Sequence, residues 1–178
     1  RVEPLKNVEL LLRTAAIMDG GHSGCQVLII GGDSKGRQVE LLKSLTKKLG
    51  IEDRVKFVGR VAQEMLPLYY NAADVCVVPS YYESFSLVAL EAMACGKPVV
   101  ASRVGGLPWV VEHARTGYLV PYRCPEPFAN WLETLLSSEA LRRSMGLAAH
   151  QRARRMSWES VTKKLVEVYG RVLAEARD

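Results

Sequence analysis

Short runs of β-branched residues bounded by Gly or Pro alternate along this chain with longer segments whose apolar residues recur every three to four positions. That alternation is the rhythm of repeated strand–helix–strand units, and it restricts the fold to an α/β class with a mostly parallel sheet. Strands are predicted at Gln26–Ile30, Val55–Val58, Asp74–Val78, Pro98–Ser102 and Tyr118–Pro121. Most are apolar throughout, as strands covered on both faces by helices are. Helical periodicity predicts Val8–Met18, Arg37–Leu49, Gln63–Ala72, Phe85–Ala94, Leu107–His113, Pro127–Leu136 and Ala140–Arg154. A last amphipathic helix is expected from Ser157, a residue suited to an N-cap, with Val161, Leu165, Val168, Tyr169 and Val172 at helical spacing. Two layers of helix on one sheet follow, a Rossmann-like three-layer α/β/α domain. Arg1–Lys6 reads as a loop leading into a helix, so the chain is expected to lack the strand that would come first.

Composition narrows the partners. No apolar run is longer than a strand, which predicts no membrane span, and the amino terminus has no signal-peptide pattern. Four cysteines stand apart at Cys25, Cys76, Cys95 and Cys124 without a Cys-x-x-Cys pair, so a reduced, cytoplasmic setting without structural zinc is expected. A net charge of +5 leaves nucleic acid, anionic lipid and phosphorylated small molecules open. The basic stretch from Arg142 to Lys164 lacks interleaved aromatics for base stacking, which argues against nucleic acid and leaves peripheral membrane contact through the carboxyl-terminal helices. With no internal repeat or Gly/Ser linker, residues 1–178 read as one domain.

Two glycine fingerprints fail on inspection. In Gly31-Gly32-Asp33-Ser34-Lys35-Gly36, Asp33 stands where a dinucleotide loop needs Gly, and Arg37-Gln38 stand where a P-loop needs Lys and Ser/Thr. A plain strand-to-helix turn is the better reading. His22, His113 and His150 are far apart and read as solvated, with no metal-ligand spacing around them.

In an open parallel sheet, ligands bind beyond the carboxyl ends of the strands, which directs attention to Pro79-Ser80-Tyr81-Tyr82-Glu83-Ser84-Phe85-Ser86-Leu87. Amides near Leu87 and Val88 open the following helix, where the positive end of its dipole suits phosphate oxygens. Glu83 and Glu91 lie eight residues apart, about 12 Å along a helix. Ionised carboxylates only accept hydrogen bonds, so such a pair suits the hydroxyls at the two ends of a nucleotide sugar. The diphosphate between them needs cations, and Arg1 and Lys6 lie in a loop at the same sheet edge.

These residues resemble the carboxyl-terminal, donor-binding domain of family 4 retaining glycosyltransferases, one half of the GT-B architecture. Arg1-Val2-Glu3-Pro4-Leu5-Lys6, Phe57-Val58-Gly59-Arg60, the Glu-x7-Glu spacing of Glu83 and Glu91, Val100 through Pro108, and Thr116-Gly117-Tyr118-Leu119-Val120 match the family's segments in order. The resemblance implies hexosyl transfer from a UDP-, GDP- or ADP-hexose to an acceptor hydroxyl, with retention and without a metal or other cofactor. It implies that Arg1 and Lys6 bind the diphosphate and stabilise the leaving nucleotide. Glu83 and the amides of Phe85, Ser86 and Leu87 would hold the donor sugar, Glu91 would hold the ribose, and Arg60 would sit by the base. Arg1, Lys6 and Glu83 are the catalytic candidates. The acceptor belongs to an amino-terminal domain of the same protein, so this chain alone is expected to turn over no sugar. An epimerase or phosphorylase of the same architecture and a non-catalytic nucleotide or nucleic-acid module are the alternatives.

Three residues depart from the family pattern. Asn7 and Ser86 replace Gly, and Trp109 replaces a common Glu after Gly105-Gly106-Leu107-Pro108. Ser86 stands where positive φ or close backbone approach is wanted, unless its hydroxyl serves as an N-cap.

Overall fold

The computed structural model describes residues 2–18, 25–33, 36–121 and 124–175. Arg1, His22, and Ser34 and Lys35 of the glycine turn lie outside the described residues. Five strands, β1 (Val27–Ile30), β2 (Val55–Gly59), β3 (Cys76–Val78), β4 (Val99–Ser102) and β5 (Gly117–Val120), fall where the β-branched runs predict them. Among the described residues eight α-helices accompany them: α1 (Val8–Ile17), α2 (Arg37–Leu49), α3 (Leu66–Ala72), α4 (Leu87–Ala94), α5 (Leu107–Val110), α6 (Pro125–Leu136), α7 (Glu139–Arg154) and α8 (Trp158–Glu175). The single helix expected over Gln63–Ala72 is a 3-10 turn, Gln63–Met65, followed by α3 with Pro67 in its first turn, where a missing N–H costs no bond. Ser157 accepts from the Ser160 amide at 3.2 Å at the head of α8, the cap its sequence position predicts.

Among the described residues the strand pairs are parallel and fall in two sheets where one was expected: β1 pairs with β2, and β3-β4-β5 form a separate sheet. Between β1 and β3 lies an open cleft instead of a ladder. The three-stranded sheet is covered on both faces. Ala89, Ala92 and Met93 of α4 meet Val99, Ala101 and Leu119 with Ala149 and Ala153 of α7 on one side. Leu10 of α1 and Phe128, Leu132 and Leu135 of α6 meet Val100, Tyr118 and Val120 on the other. Alternate residues of β4 thus serve opposite cores, as period-two geometry requires. A third cluster joins β1 and β2 to α1 and α2 through Leu12, Ile29, Leu42 and Val55.

The remaining helix, α8, has none of its residues buried. Its apolar residues, including Trp158, Val161, Leu165 and Val172, face outward, while Lys163, Lys164 and Arg171 balance Glu159, Glu167 and Glu175. Among the described residues no helix is long and apolar enough to cross a membrane. The basic stretch is also less free than it reads. Arg142 reaches Asp74 and the Leu135 and Leu136 carbonyls, and Arg152 donates to the Val110 and Trp109 carbonyls. His113 and His150 are both exposed, as expected, and each also makes a hydrogen bond to the backbone. The Leu119 amide donates to His113 Nδ1 at 3.0 Å, and His150 Nδ1 stands 2.6 Å from the Ala94 carbonyl, a distance that places its proton on Nδ1.

Candidate functional site

Two loops meet at the carboxyl ends of the strands. The first is a 3-10 turn over Pro4–Lys6, whose proline presets the opening dihedral. It turns into α1 at Asn7, which has φ 49° and is buried. That left-handed conformation is the reason glycine suits this position, and Asn is the side chain that tolerates it best. The second loop runs from β3 to α4. Its Ser86 has φ 82°, again the conformation that favours glycine, and its hydroxyl accepts from the Ala89 amide at 3.4 Å as the N-cap of α4. The capping bond offsets part of the strain of a β-carbon at positive φ.

The loops are tied at Glu83, whose residue is only 8% exposed. Lys6 Nζ donates to Glu83 Oε1 at 2.7 Å, and Ser80 Oγ donates to the same oxygen at 2.9 Å. Backbone bonds repeat the connection: the Tyr81 amide donates to the Leu5 carbonyl at 2.9 Å, and the Gly106 amide to the Glu83 carbonyl at 2.7 Å. Gly105 and Gly106 support this loop by having no side chain. A β-carbon on either would fall on the carbonyl of Glu83 or Ser84. A carboxylate this enclosed requires its cation and its hydroxyl, and it has both.

One turn into α4, Glu91 is half-buried, and its Oε2 accepts from the Tyr70 hydroxyl of α3 at 2.9 Å. Burial raises the Tyr70 phenol well above its ordinary value, with Cys76 and the bond to Glu91 adding to it, so Tyr70 remains a donor. The Cys76 thiol is pushed up to about 12 by burial, with the charge of Glu91 as the lesser cause. A thiol so neutral is no nucleophile.

Lys6, Arg60, Glu83, Val88 and Glu91 line one cleft of ≈ 1300 Å³ that also reaches Ser80 and Tyr70. Arg60 follows β2 directly and is exposed. Leu87 and Val88 are the first residues of α4, whose amides an α-helix leaves without intrahelical acceptors. Phe85, Ser86 and Leu87 are not among the cleft-lining residues: Ser86 is spent on the cap, while Phe85 and Leu87 are exposed at 39% and 60%. The sequence reading misses Tyr70 and Ser80. Ser80 is adjacent to Glu83 in the same loop and was within reach of that reading; nothing in the pattern around Tyr70 connects it to Glu91. Trp109, the third departure, is 77% exposed on α5. Among the described residues no three His, Cys, Asp or Glu side chains gather as a metal-holding group.

A family model described as glycosyl transferases group 1 matches residues 1–152. The chain belongs to that family. The D-inositol 3-phosphate glycosyltransferase of Mycobacteroides abscessus is 44% identical over 99% of this chain and 39% of its own length. The enzyme of that name from Corynebacterium diphtheriae is 44% identical over 96% and 40%. The chain thus spans about two fifths of these group 1 relatives. Among solved structures, sucrose-phosphate synthase from Thermosynechococcus elongatus is similar with a TM-score of 0.85 at 38% identity, over 98% of this chain and 44% of that one. HepE of Anabaena in complex with UDP-glucose is similar with a TM-score of 0.83 at 29% identity, over 96% and 46%. The Rossmann-like half of a GT-B group 1 glycosyltransferase is therefore the fold of this chain.

Proposed function

We propose that this chain is the nucleotide-sugar-binding domain of a hexosyltransferase that moves a hexose from a nucleoside diphosphate to an acceptor hydroxyl with retention and without a metal ion. The observation that carries the reading is the tie between Lys6 and Glu83 at the carboxyl edge of the sheet, directly before the amino end of α4. An ammonium has three donors, and Lys6 uses one of them on Glu83, leaving two for phosphate oxygens. Those donors and the opening amides of α4 supply positive charge where a leaving diphosphate develops negative charge.

Glu83 in this reading accepts from donor-sugar hydroxyls through the oxygen not engaged by Lys6 and Ser80. Glu91, pinned by Tyr70 through Oε2, offers Oε1 to the ribose. Arg60 lies by the base, and Arg1 joins Lys6 at the diphosphate. The complex of HepE with UDP-glucose supports a uridine nucleotide as the first donor to test. The second half of the cleft, with the acceptor, belongs to an amino-terminal domain of the longer enzyme. Apolar α8 residues exposed along one helix support contact with that domain or peripherally with a membrane.

Calorimetric titration with UDP, GDP and ADP and with their glucose, mannose and N-acetylglucosamine conjugates tests the proposal. Saturable binding of one nucleotide series, lost in Glu91→Ala and reduced in Lys6→Ala, is the expected result. Silence across the whole panel overturns it, as does measurable hexosyl transfer by this chain alone for the division of labour between domains.

A further inference from the structure

The loop that carries Glu83 is held on two sides. Its downstream end runs into α4, and its middle rests on Gly105 and Gly106. The Gly106 amide donates to the Glu83 carbonyl at 2.7 Å, and a β-carbon on either glycine would collide with the Glu83 or Ser84 carbonyl. Gly106 is also the residue from which α5 starts, so the seat of Glu83 moves with that helix. α5 is a single turn of four residues, too short to supply donors to its own last carbonyls. Arg152 of α7 supplies them. Its Nε donates to the Val110 carbonyl at 2.7 Å, its Nη2 to the Trp109 carbonyl at 2.6 Å, and its Nη1 stands 3.4 Å from Glu112 Oε2. Leu107, Val110 and Val111 are fully buried and set the depth of α5 in the core. Apolar contact is non-directional, however, whereas a guanidinium fork fixes an angle.

We propose that Arg152 is a positioning residue for donor-sugar recognition, acting through α5 and Gly106 on Glu83, on the reading above that Glu83 contacts the donor sugar. The chain of contacts closes on itself. Ala149 and Ala153, beside Arg152 on α7, belong to the same core cluster as Ala89, Ala92 and Met93 of α4. α4 follows the Glu83 loop and α5 supports it, so α7 holds both elements, one by packing and the other by hydrogen bonds. Such a circuit passes a small shift along, because close-packed interiors transmit strain. Lys6 and Ser80 fix the Glu83 carboxylate; Arg152 fixes the backbone that carries it. Loss of the fork frees the carboxyl end of α5 to turn on its buried Leu107, which draws Gly106 away from the Glu83 carbonyl. Glu83 then shifts relative to the sugar, while the opening amides of α4 and Glu91, which meet the nucleotide in the same reading, stay in place. Loss of one hydrogen bond to a charged group corresponds to about tenfold in affinity.

Two measurements on the 178-residue chain test this role, the first without ligand. Amide hydrogen exchange at Gly106 reports its bond to the Glu83 carbonyl directly; in Arg152→Met it should be about tenfold faster, with the Val100 and Ala101 amides of β4 unchanged. Calorimetry with UDP and UDP-glucose, or with the GDP or ADP pair if the panel above selects it, then reads the sugar. The dissociation constant of the sugar conjugate should rise about tenfold and that of the bare nucleotide less than about twofold. Arg54→Met is the control, because Arg54 likewise holds a carbonyl, that of Ala15 at 2.9 Å; it should lower the melting temperature and leave both readouts at wild-type values. Arg152→Lys keeps the charge without the fork, so it should fall between wild type and Arg152→Met, and it carries both readouts if the latter does not fold. Unchanged exchange at Gly106 overturns the proposal, as do wild-type values in Arg152→Lys. Faster exchange with an unmoved ratio of conjugate to nucleotide affinity also overturns it, since Arg152 would then be merely structural. Silence of the unaltered chain toward all three pairs overturns the donor-sugar reading and this use of Arg152 with it, while exchange at Gly106 still decides whether Arg152 holds the Glu83 loop.

Discussion

Replacing Lys6 by Met tests the joint on which the site is assembled. The change keeps the length of the side chain and removes the ammonium, so Glu83 retains Ser80 as its side-chain partner in an enclosure that leaves it 8% exposed. Removing one member of a fully buried ion pair costs about 3–5 kcal/mol. The Lys6 side chain is 32% exposed, so water screens part of the interaction and about 2 kcal/mol is the expected loss. Glu83→Gln leaves the half-exposed ammonium to water and keeps a group for Ser80, so about 1 kcal/mol is expected from it. Because the two groups touch, the double variant should lose less than the sum, with a coupling of about 1–2 kcal/mol. Urea denaturation with an unchanged slope measures each corner of the cycle, and a 2 kcal/mol loss lowers the melting temperature by about 4–8 °C for a chain of this size. Additivity within about 0.3 kcal/mol would refute the reasoning, since it would mean that Lys6 and Glu83 do not hold the two loops together.

Three further outcomes follow from the same geometry. Tyr70→Phe removes the donor that pins Glu91; it should weaken nucleotide binding about fivefold, a loss of about 1 kcal/mol, while leaving the 2′-deoxynucleotide less affected. Equal losses for both nucleotides would detach Glu91 from the ribose. Ser86→Gly relieves a side chain held at φ 82° at the cost of a cap bond, and since Gly is nearly as good a cap, a gain of about 0.5–1 kcal/mol in stability is expected by thermal melting. A lowered melting temperature would show that the hydroxyl matters more than the strain. Cys76 holds its proton in the folded chain up to about 12, whereas its ordinary value is 9.0. The stability it contributes is thus complete below pH 9 and lost as the pH rises through about 12. Cys76→Ala should flatten the alkaline fall in urea midpoints between pH 8 and 10, and an unchanged slope would sink the assignment.

Much of the fold is legible in the sequence because apolar periodicity is a local property. The runs at Pro98–Ser102 and Tyr118–Pro121 declare central strands before any tertiary contact is considered, and β4 and β5 are buried along their whole length. Boundaries were less legible: Phe85 was expected inside the helix, but α4 begins at Leu87 because Ser86 turns through positive φ and caps it. Glu83 and Glu91 were found by spacing within one segment, and Lys6 by its place at the same sheet edge. Tyr70 is twenty-one residues from Glu91 in a helix with no motif of its own, so only packing of α3 against α4 reveals it.

The alternation of residue types alone determined the α/β class, the order of elements and the edge of the sheet at which chemistry belongs, since each depends on neighbours within a few residues. Only the tertiary structure decided that Lys6 meets Glu83 across 77 positions, that Arg142 and Arg152 hold carbonyls rather than face outward, and that β1 and β3 line one cleft from two separate sheets. Those outcomes depend on which distant surfaces come into register, and distance in space is the one quantity a linear pattern does not encode.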